Sequence, residues 1–341
     1  MSKCCINCFN DKEIKQSIIN RKELGRCSYC GSNDISVADA CSLNEKFEFL
    51  MYGAEPCETG QPAYIILTQA FEIFGNDVKN PQKLLDDILS TNLGDIKYSL
   101  KFETERYING WSELCQELKH NNRFFLKSEV YETFFSSDRS NSTSPFFSIL
   151  EQLELLVYPE DEFYRARIAD NHLTRDDMGA PPSEIATAGR ANPKGISYVY
   201  LADNIETCIS EVRPYNGCEI HVSKFKSTNG RRLIDLTSPR KAVSVIPFSE
   251  IQYGEVLSII DLLESFSKEL SIPVKPHLSE LEYIPTQFLC EYIKSLDCYD
   301  GIVFKSSFGK GNNYVFFERD NFTVEAPLLH KLDDITFTFS T

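Results

Sequence analysis

The chain has 341 residues, 42% of them apolar, and carries 50 acidic against 35 basic side chains for a net charge of −15. That length admits two domains and a small module with a sizeable core, while the charge repels phosphate backbones and anionic lipid and counts against general nucleic-acid binding or a membrane-surface role. No apolar run reaches the length of a bilayer span, no apolar signal region opens the N-terminus, and twelve cysteines are scattered along the chain; a cytoplasmic protein with reduced thiols is expected.

The first segment holds Cys5-Ile6-Asn7-Cys8 and Cys27-Ser28-Tyr29-Cys30, two CxxC pairs separated by 18 residues. Four thiolates so spaced can close a tetrahedral site, so Cys5, Cys8, Cys27 and Cys30 are expected to hold a structural Zn2+ in a zinc-ribbon-like module over residues 1–42, with Cys4 as an alternative to Cys5. With every ligand supplied by protein, such a metal has no open position and serves folding rather than chemistry.

Residues 43–156 read as helical. Ile66, Leu67, Ala70, Phe71 and Phe74 recur at helical spacing, as do Leu84, Leu85, Ile88 and Leu89, then Trp111, Leu114, Cys115 and Leu118. His120 takes the ordinary reading of a helix-terminal cation. Residues 136–144 have the composition of a linker, and 145–156 resume an apolar helix.

From 157 to 341 the texture changes to short strands and turns. Residues 163–168 alternate apolar and cationic positions, which places Arg165 and Arg167 on one strand face. Two guanidiniums side by side call for anions. A long loop follows over 173–189, then a strand through Tyr198, Tyr200 and Leu201. The next helix is expected to start at Asp203 as N-cap, to carry an apolar stripe of Ile205, Cys208, Ile209 and Val212, and to stop before Pro214. Glu211 stands at the margin of that stripe. Further strands are expected over 218–225 and 232–236, helices over 257–270 and 286–296, and two strands around the glycine-bearing loop at 308–312, with Ser306 at a strand end. An edge strand is expected over 335–339. No GxGxxG, P-loop, HExxH or GxSxG occurs, so anions must be held by side chains and a hydrolase triad is not expected.

Tyr164-Arg165, Arg190-x-Asn192-Pro193-x-Gly195, Tyr200-Leu201-Ala202, Ser210-Glu211-Val212 and Tyr299-Asp300-Gly301-Ile302-x3-Ser306 together resemble the RES-domain family. The resemblance covers about the last half of the chain, and the zinc and helical part resembles the HEPN-like extension of some RES proteins. It implies an α+β chain whose RES domain, 157–341, has a mixed sheet like that of ADP-ribosyltransferases, and a toxin that consumes NAD+, paired with a cognate antitoxin or inhibitor protein or serving antiphage defence. A homo-oligomer is also expected.

The resemblance implies that Arg165 and Arg190 hold the pyrophosphate or its ribose, that Glu211 stabilises the oxocarbenium-like sugar formed when the nicotinamide–ribose bond breaks, and that Ser306 bonds at the nicotinamide side. Arg167, Asn192, Tyr198, Tyr200 and Asn313 are the further NAD+-binding candidates, with Tyr198 or Tyr200 offering a ring to stack on nicotinamide. Ala191 stands where many relatives carry an aromatic residue. The acceptor stays open: water gives a glycohydrolase, phosphate a phosphorylase, and a macromolecular side chain an ADP-ribosyltransferase. The reading from another class is a non-catalytic zinc-ribbon adaptor that binds a nucleotide or protein.

Overall fold

The computed structural model describes residues 2–102, 108–136, 144–274 and 278–334. In chain order, β1 (Lys3–Cys5), α1 (Lys12–Ile19), β2 (Leu24–Gly25) and β3 (Ile35–Asp39) form a small module. Its sheet has the order β1-β3-β2, antiparallel throughout. Helix α1 starts where it does because the Asp11 carboxylate accepts from the backbone N–H of Glu13 and Ile14, and it buries Ile14 and Ile18 one turn apart.

Next come α2 (Asn44–Tyr52), β4 (Ala54–Pro62), α3 (Ala63–Phe71), α4 (Pro81–Leu89) and β5 (Lys97–Leu100). Asn80 caps α4 and Pro81 opens it, so that Leu84, Leu85 and Ile88 are buried on one face. The β4–β5 ribbon departs from the all-helical expectation for this stretch. Its register shifts between Pro56 and Gln61, and a bulged strand with no apolar alternation leaves no period-2 signal.

Beyond these lie α5 (Ile108–Gln116), α6 (Glu129–Phe134), α7 (Pro145–Gln152) and β6 (Glu154–Val157). The helix expected through 156 ends four residues early, because Glu154 to Val157 pair antiparallel with Ile234 to Arg231. The C-terminal part then runs β7 (Glu162–Ile168), β8 (Val199–Ala202), α8 (Ile205–Glu211), β9 (Glu219–Ser227), β10 (Arg231–Asp235), α9 (Pro239–Ala242), α10 (Tyr253–Ser271), α11 (Ser279–Glu282), α12 (Ile284–Ser295), β11 (Gly301–Lys305), β12 (Asn312–Phe316), β13 (Phe322–Val324) and β14 (Leu328–Lys331). The expected edge strand at 335–339 and most of the linker at 136–144 lie outside the described residues.

Two compact units form. One gathers Met1–Asn109, Ser142–Gln152 and Pro239–Leu262; the other gathers Gly110–Asn141, Leu153–Ser238 and Leu263–Thr341. In the first, Phe9, Phe47 and Phe74 pack with ring centroids 5.8–6.2 Å apart. The second is built on a mixed sheet of order β13-β9-β7-β8-β12-β11-β10-β6, with β14 also on β9. Only the β10–β11 pair is parallel among the pairings of that sheet's described strands. One sheet face packs Phe163, Leu201, Phe225, Val303 and Phe316 with Met178 of the 169–198 loop, and the other packs Ala166, Ala202, Ile220 and Val222 with Cys208 of α8. No helix is long and apolar enough to cross a membrane, among the described residues.

Candidate active site

The sheet nearly divides at β7 and β8. Strand β7 pairs with β9 through seven residues but meets β8 at one pair, Tyr164 with Ala202. Past that point the strands part. A cavity of about 320 Å³ opens there, lined among others by Arg165, Arg190, Tyr200, Glu211 and Asn313. Residues far apart in the chain thereby reach one place.

Glu211, at the last turn of α8, has one carboxylate oxygen fixed. Its Oε1 accepts from Ser306 Oγ at 2.5 Å and from Asn313 Nδ2 at 2.8 Å, and no hydrogen bond reaches Oε2 among the described residues. Ser306 is itself held, because its Oγ accepts from the backbone N–H of Phe308 at 3.1 Å and of Gly309 at 2.8 Å. A serine hydroxyl so occupied, donating to the carboxylate and accepting from two backbone N–H groups, fixes the orientation of Glu211.

The loop behind Ser306 is pressed on α8. Gly311 N donates to Thr207 Oγ1 at 3.0 Å, and Asn312 N donates to Asp203 Oδ2 at 2.9 Å. A Cβ on Gly311 would come within 2.1 Å of Asp203 Oδ1, so a side chain there would push the Asp203 carboxylate from its place. The N-cap of α8 is therefore Asn204, whose Oδ1 accepts from Thr207 N, in place of the expected Asp203. Asp203 is taken by the loop. On the outer side the Arg213 guanidinium lies 4.6 Å from the Phe308 ring centroid.

Arg165 is the cation of the cavity without a protein partner among the described residues. Its Nη1 is buried with no hydrogen bond. Burial, and then the neighbouring Arg167 charge, push the group down to about 10, so it stays cationic at neutral pH and is short of an anion. Arg190 is differently placed: it donates to the Leu270 carbonyl and, at 2.6 Å, to Ser307 Oγ. Its own backbone carbonyl accepts from Thr286 Oγ1 at 2.6 Å, while Gln287 Nε2 donates to the carbonyls of Gly189 at 2.8 Å and Asn192 at 3.1 Å. Thr286 and Gln287 thus clamp the arginine loop, a role that sequence reasoning missed. The available signal was two polar residues in the first turn, on the same face as the apolar Leu289, Cys290 and Ile293 of that helix.

Four expected site residues do not line the cavity: Ser306, which stands behind the Glu211 carboxylate, and Asn192, Tyr198 and Arg167. Asn192 is buried and organises its own loop, with Nδ2 donating to the carbonyls of Thr187, Pro193 and Ile196 and Oδ1 accepting from Tyr200 Oη at 2.6 Å. Tyr198 packs in the core against Phe317, with Lys294 Nζ 5.0 Å from its ring. Arg167 donates to the Gly179 carbonyl at 2.8 Å, under the 169–198 loop. Of the two tyrosines, only Tyr200 turns a ring to the cavity. Its hydroxyl is committed, donating to Asn192 and accepting from Ala191 N at 3.0 Å, and burial raises its pKa above the usual tyrosine range.

The four cysteines form the second cluster. Their Sγ atoms lie within 4.8 Å of one another, with Cys5–Cys8 at 3.9 Å, Cys5–Cys30 at 3.4 Å and Cys8–Cys27 at 3.3 Å. A tetrahedron of sulfurs about 2.3 Å from zinc has edges of about 3.8 Å, so the donor set fits that ion. Tyr29 N donates to Cys27 Sγ at 3.4 Å, a backbone bond of the kind that steadies a thiolate. Cys4 is excluded from the set: its thiol donates to the Ala38 carbonyl at 3.6 Å, and burial pushes it up to about 12. A larger groove of about 690 Å³ beside α4 spends its charges internally, Asp87 on Lys83 and Tyr29, and Asp86 on Gln82 and Leu93 N.

Residues 162–340 match the family described as RES domain. This chain belongs to the RES-domain family. The match begins at β7 and takes in Arg165, Arg190, Glu211, Ser306 and Asn313. Among solved structures, the crystal structure of the M. tuberculosis MbcT–MbcA toxin–antitoxin complex is similar to the RES chain at 14% identity, covering 56% of this chain and 93% of that one with a TM-score of 0.30. No curated protein matches it.

Proposed function

We propose that this chain is an NAD+-degrading RES enzyme that cleaves the nicotinamide–ribose bond as a glycohydrolase or phosphorylase. The carrying observation is the Glu211 carboxylate, anchored through Oε1 by Ser306 and Asn313 with Oε2 unspent, in one cavity with the unpaired Arg165 cation. When the N-glycosidic bond breaks, its electron pair leaves with nicotinamide, whose ring nitrogen becomes neutral, and positive charge gathers on the ribose. A fixed carboxylate stabilises that charge most at the transition state and needs no reorganisation to do so. The acceptor then gives a lone pair to the anomeric carbon and loses a proton.

Arg165, with Arg190 behind the Ser307 contact, takes the negative diphosphate, and the Tyr200 ring offers the stacking face. Asn192 and Tyr198 act by shaping the walls. In this reading 157–341 is the catalytic RES domain, 1–42 a zinc module and 43–156 a helical, HEPN-like part that docks an antitoxin or a second copy of the chain. The protein works in the cytoplasm as the toxin of a toxin–antitoxin or antiphage pair. ADP-ribosylation of a macromolecule uses the same carboxylate, and a bare nucleotide-binding adaptor does not need it.

The test is NAD+ loss by the purified chain with and without phosphate, with products resolved by mass. Loss that requires phosphate means phosphorolysis, loss without it hydrolysis, and persistence of NAD+ in both conditions removes this reading.

A further inference from the structure

Four polar atoms on one face of the β7–β9 ladder are buried without a hydrogen-bond partner among the described residues: Arg165 Nη1, Arg167 Nε, His221 Nδ1 and Ser223 Oγ. The register puts them side by side, Arg165 opposite Ser223 and Arg167 opposite His221, and directly paired residues project to the same side of a sheet. His221 and Ser223 are more than nine-tenths buried, at 2% and 0% exposure. A buried polar group left unpaired loses its bonds to water with nothing in exchange, so four together on one patch are unusual in a core.

Their chemistry is one-sided. Arg165 and Arg167 are cations and donors only, and a serine hydroxyl or an imidazole N–H can donate as well. Arg167 spends one group on the Gly179 carbonyl and feels the charge of the exposed Asp177, while the charge that acts on Arg165 is the like charge of Arg167. His172, also exposed, stands with its ring centroid 6.3 Å from that of His221. The row therefore lacks an oxyanion at its Arg165 end.

We infer that Arg167, His221 and Ser223 continue the site from Arg165 away from Glu211, and form an oxyanion subsite for a phosphate at the adenosine end of the nucleotide. This rests on the nucleotide reading above and extends it to three residues outside the cavity lining, Arg167, His221 and Ser223. The cavity of about 320 Å³ lies at the lower limit of ordinary ligand sites, so a dinucleotide needs room beyond it. Along the β7–β9 ladder the row is the next set of donors beyond Arg165.

ADP is the probe, because it carries the phosphates and lacks both nicotinamide and the scissile bond. Binding to the full chain is measured by calorimetry for the parent, Ser223→Ala, His221→Gln and Glu211→Gln, with inorganic phosphate titrated separately; unchanged melting temperatures establish that each variant folds. The expected result is ADP binding that weakens about tenfold in the first two variants, the loss of one charge-assisted bond, and is unchanged in Glu211→Gln. Equal ADP affinity in parent and Ser223→Ala overturns the subsite, and so does phosphate that binds the row without competing with ADP. NAD+ consumption without measurable ADP binding overturns the subsite while leaving the site reading intact; absence of both overturns the two together.

Discussion

The four-cysteine cluster and the β7–β8 cleft are both concentrations of ionisable side chains, and they differ in what is left over. At the cysteines each of the four donors faces the other three, so that one ion of the right size closes the set. At the cleft, among the described residues, Glu211 keeps one oxygen unspent and Arg165 has no anion, although Ser306, Asn313 Nδ2 and the backbone of the 306–312 loop are bonded around them. A closed set serves folding, and an open set held rigidly by bonded neighbours can act on something that enters.

The comparison breaks first at the metal. Zinc bound by such peptides contributes about 10–16 kcal/mol of apparent folding free energy at pH 7, so Cys8→Ser, or a strong chelator, should release the ion and open residues 3–39 to proteolysis. Metal analysis and limited digestion read this out; an intact, zinc-free module would mean that β1–β3 and α1 stand alone. Second, Glu211→Gln keeps the bonds from Ser306 and Asn313 in reach of an amide oxygen and removes the charge, so NAD+ consumption should fall by about 10²–10³-fold with no change in melting temperature. Parental turnover in that variant would falsify the role given to Glu211.

Third, Ser306→Ala removes a donor to Glu211 and an acceptor for two backbone N–H groups. A charge-assisted bond of about 1.5–3 kcal/mol predicts a loss of about ten- to a hundredfold in kcat, with a smaller change in KM; a change confined to KM would make Ser306 a binding residue. The smallest effect sits one contact behind the cleft. Thr286→Val keeps the shape of the side chain and deletes its bond to the Arg190 carbonyl, so about 1 kcal/mol of stability is expected to go. Denaturant titration checks this, and an unchanged midpoint would show that Gln287 alone holds the loop.

Much of this was legible in the sequence because it is local. The paired CxxC spacing, the apolar–cationic alternation of 163–168, the strand before Asp203 and the glycines at 309 and 311 each signal through residues a few positions apart. The ordered motifs carried the family, and the match over 162–340 bears it out. The misses share a physical form. Alternation placed Tyr198 and Tyr200 on one face, but it could not say that Phe317 and Lys294 cover the first while a cavity meets the second. Asp203 has the composition of a cap, yet Asn312 took its carboxylate and Asn204 became the cap.

The sequence by itself determined which side chains were available and the local period on which each sits, because sterics and hydrogen bonding within a turn or a strand act over neighbouring residues. Only the tertiary structure decided that Ser306 and Asn313, 95 and 102 residues from Glu211, would share its oxygen, and that β7 would part from β8 after one residue pair. Contacts at that separation depend on how whole strands register against one another, which no local pattern encodes.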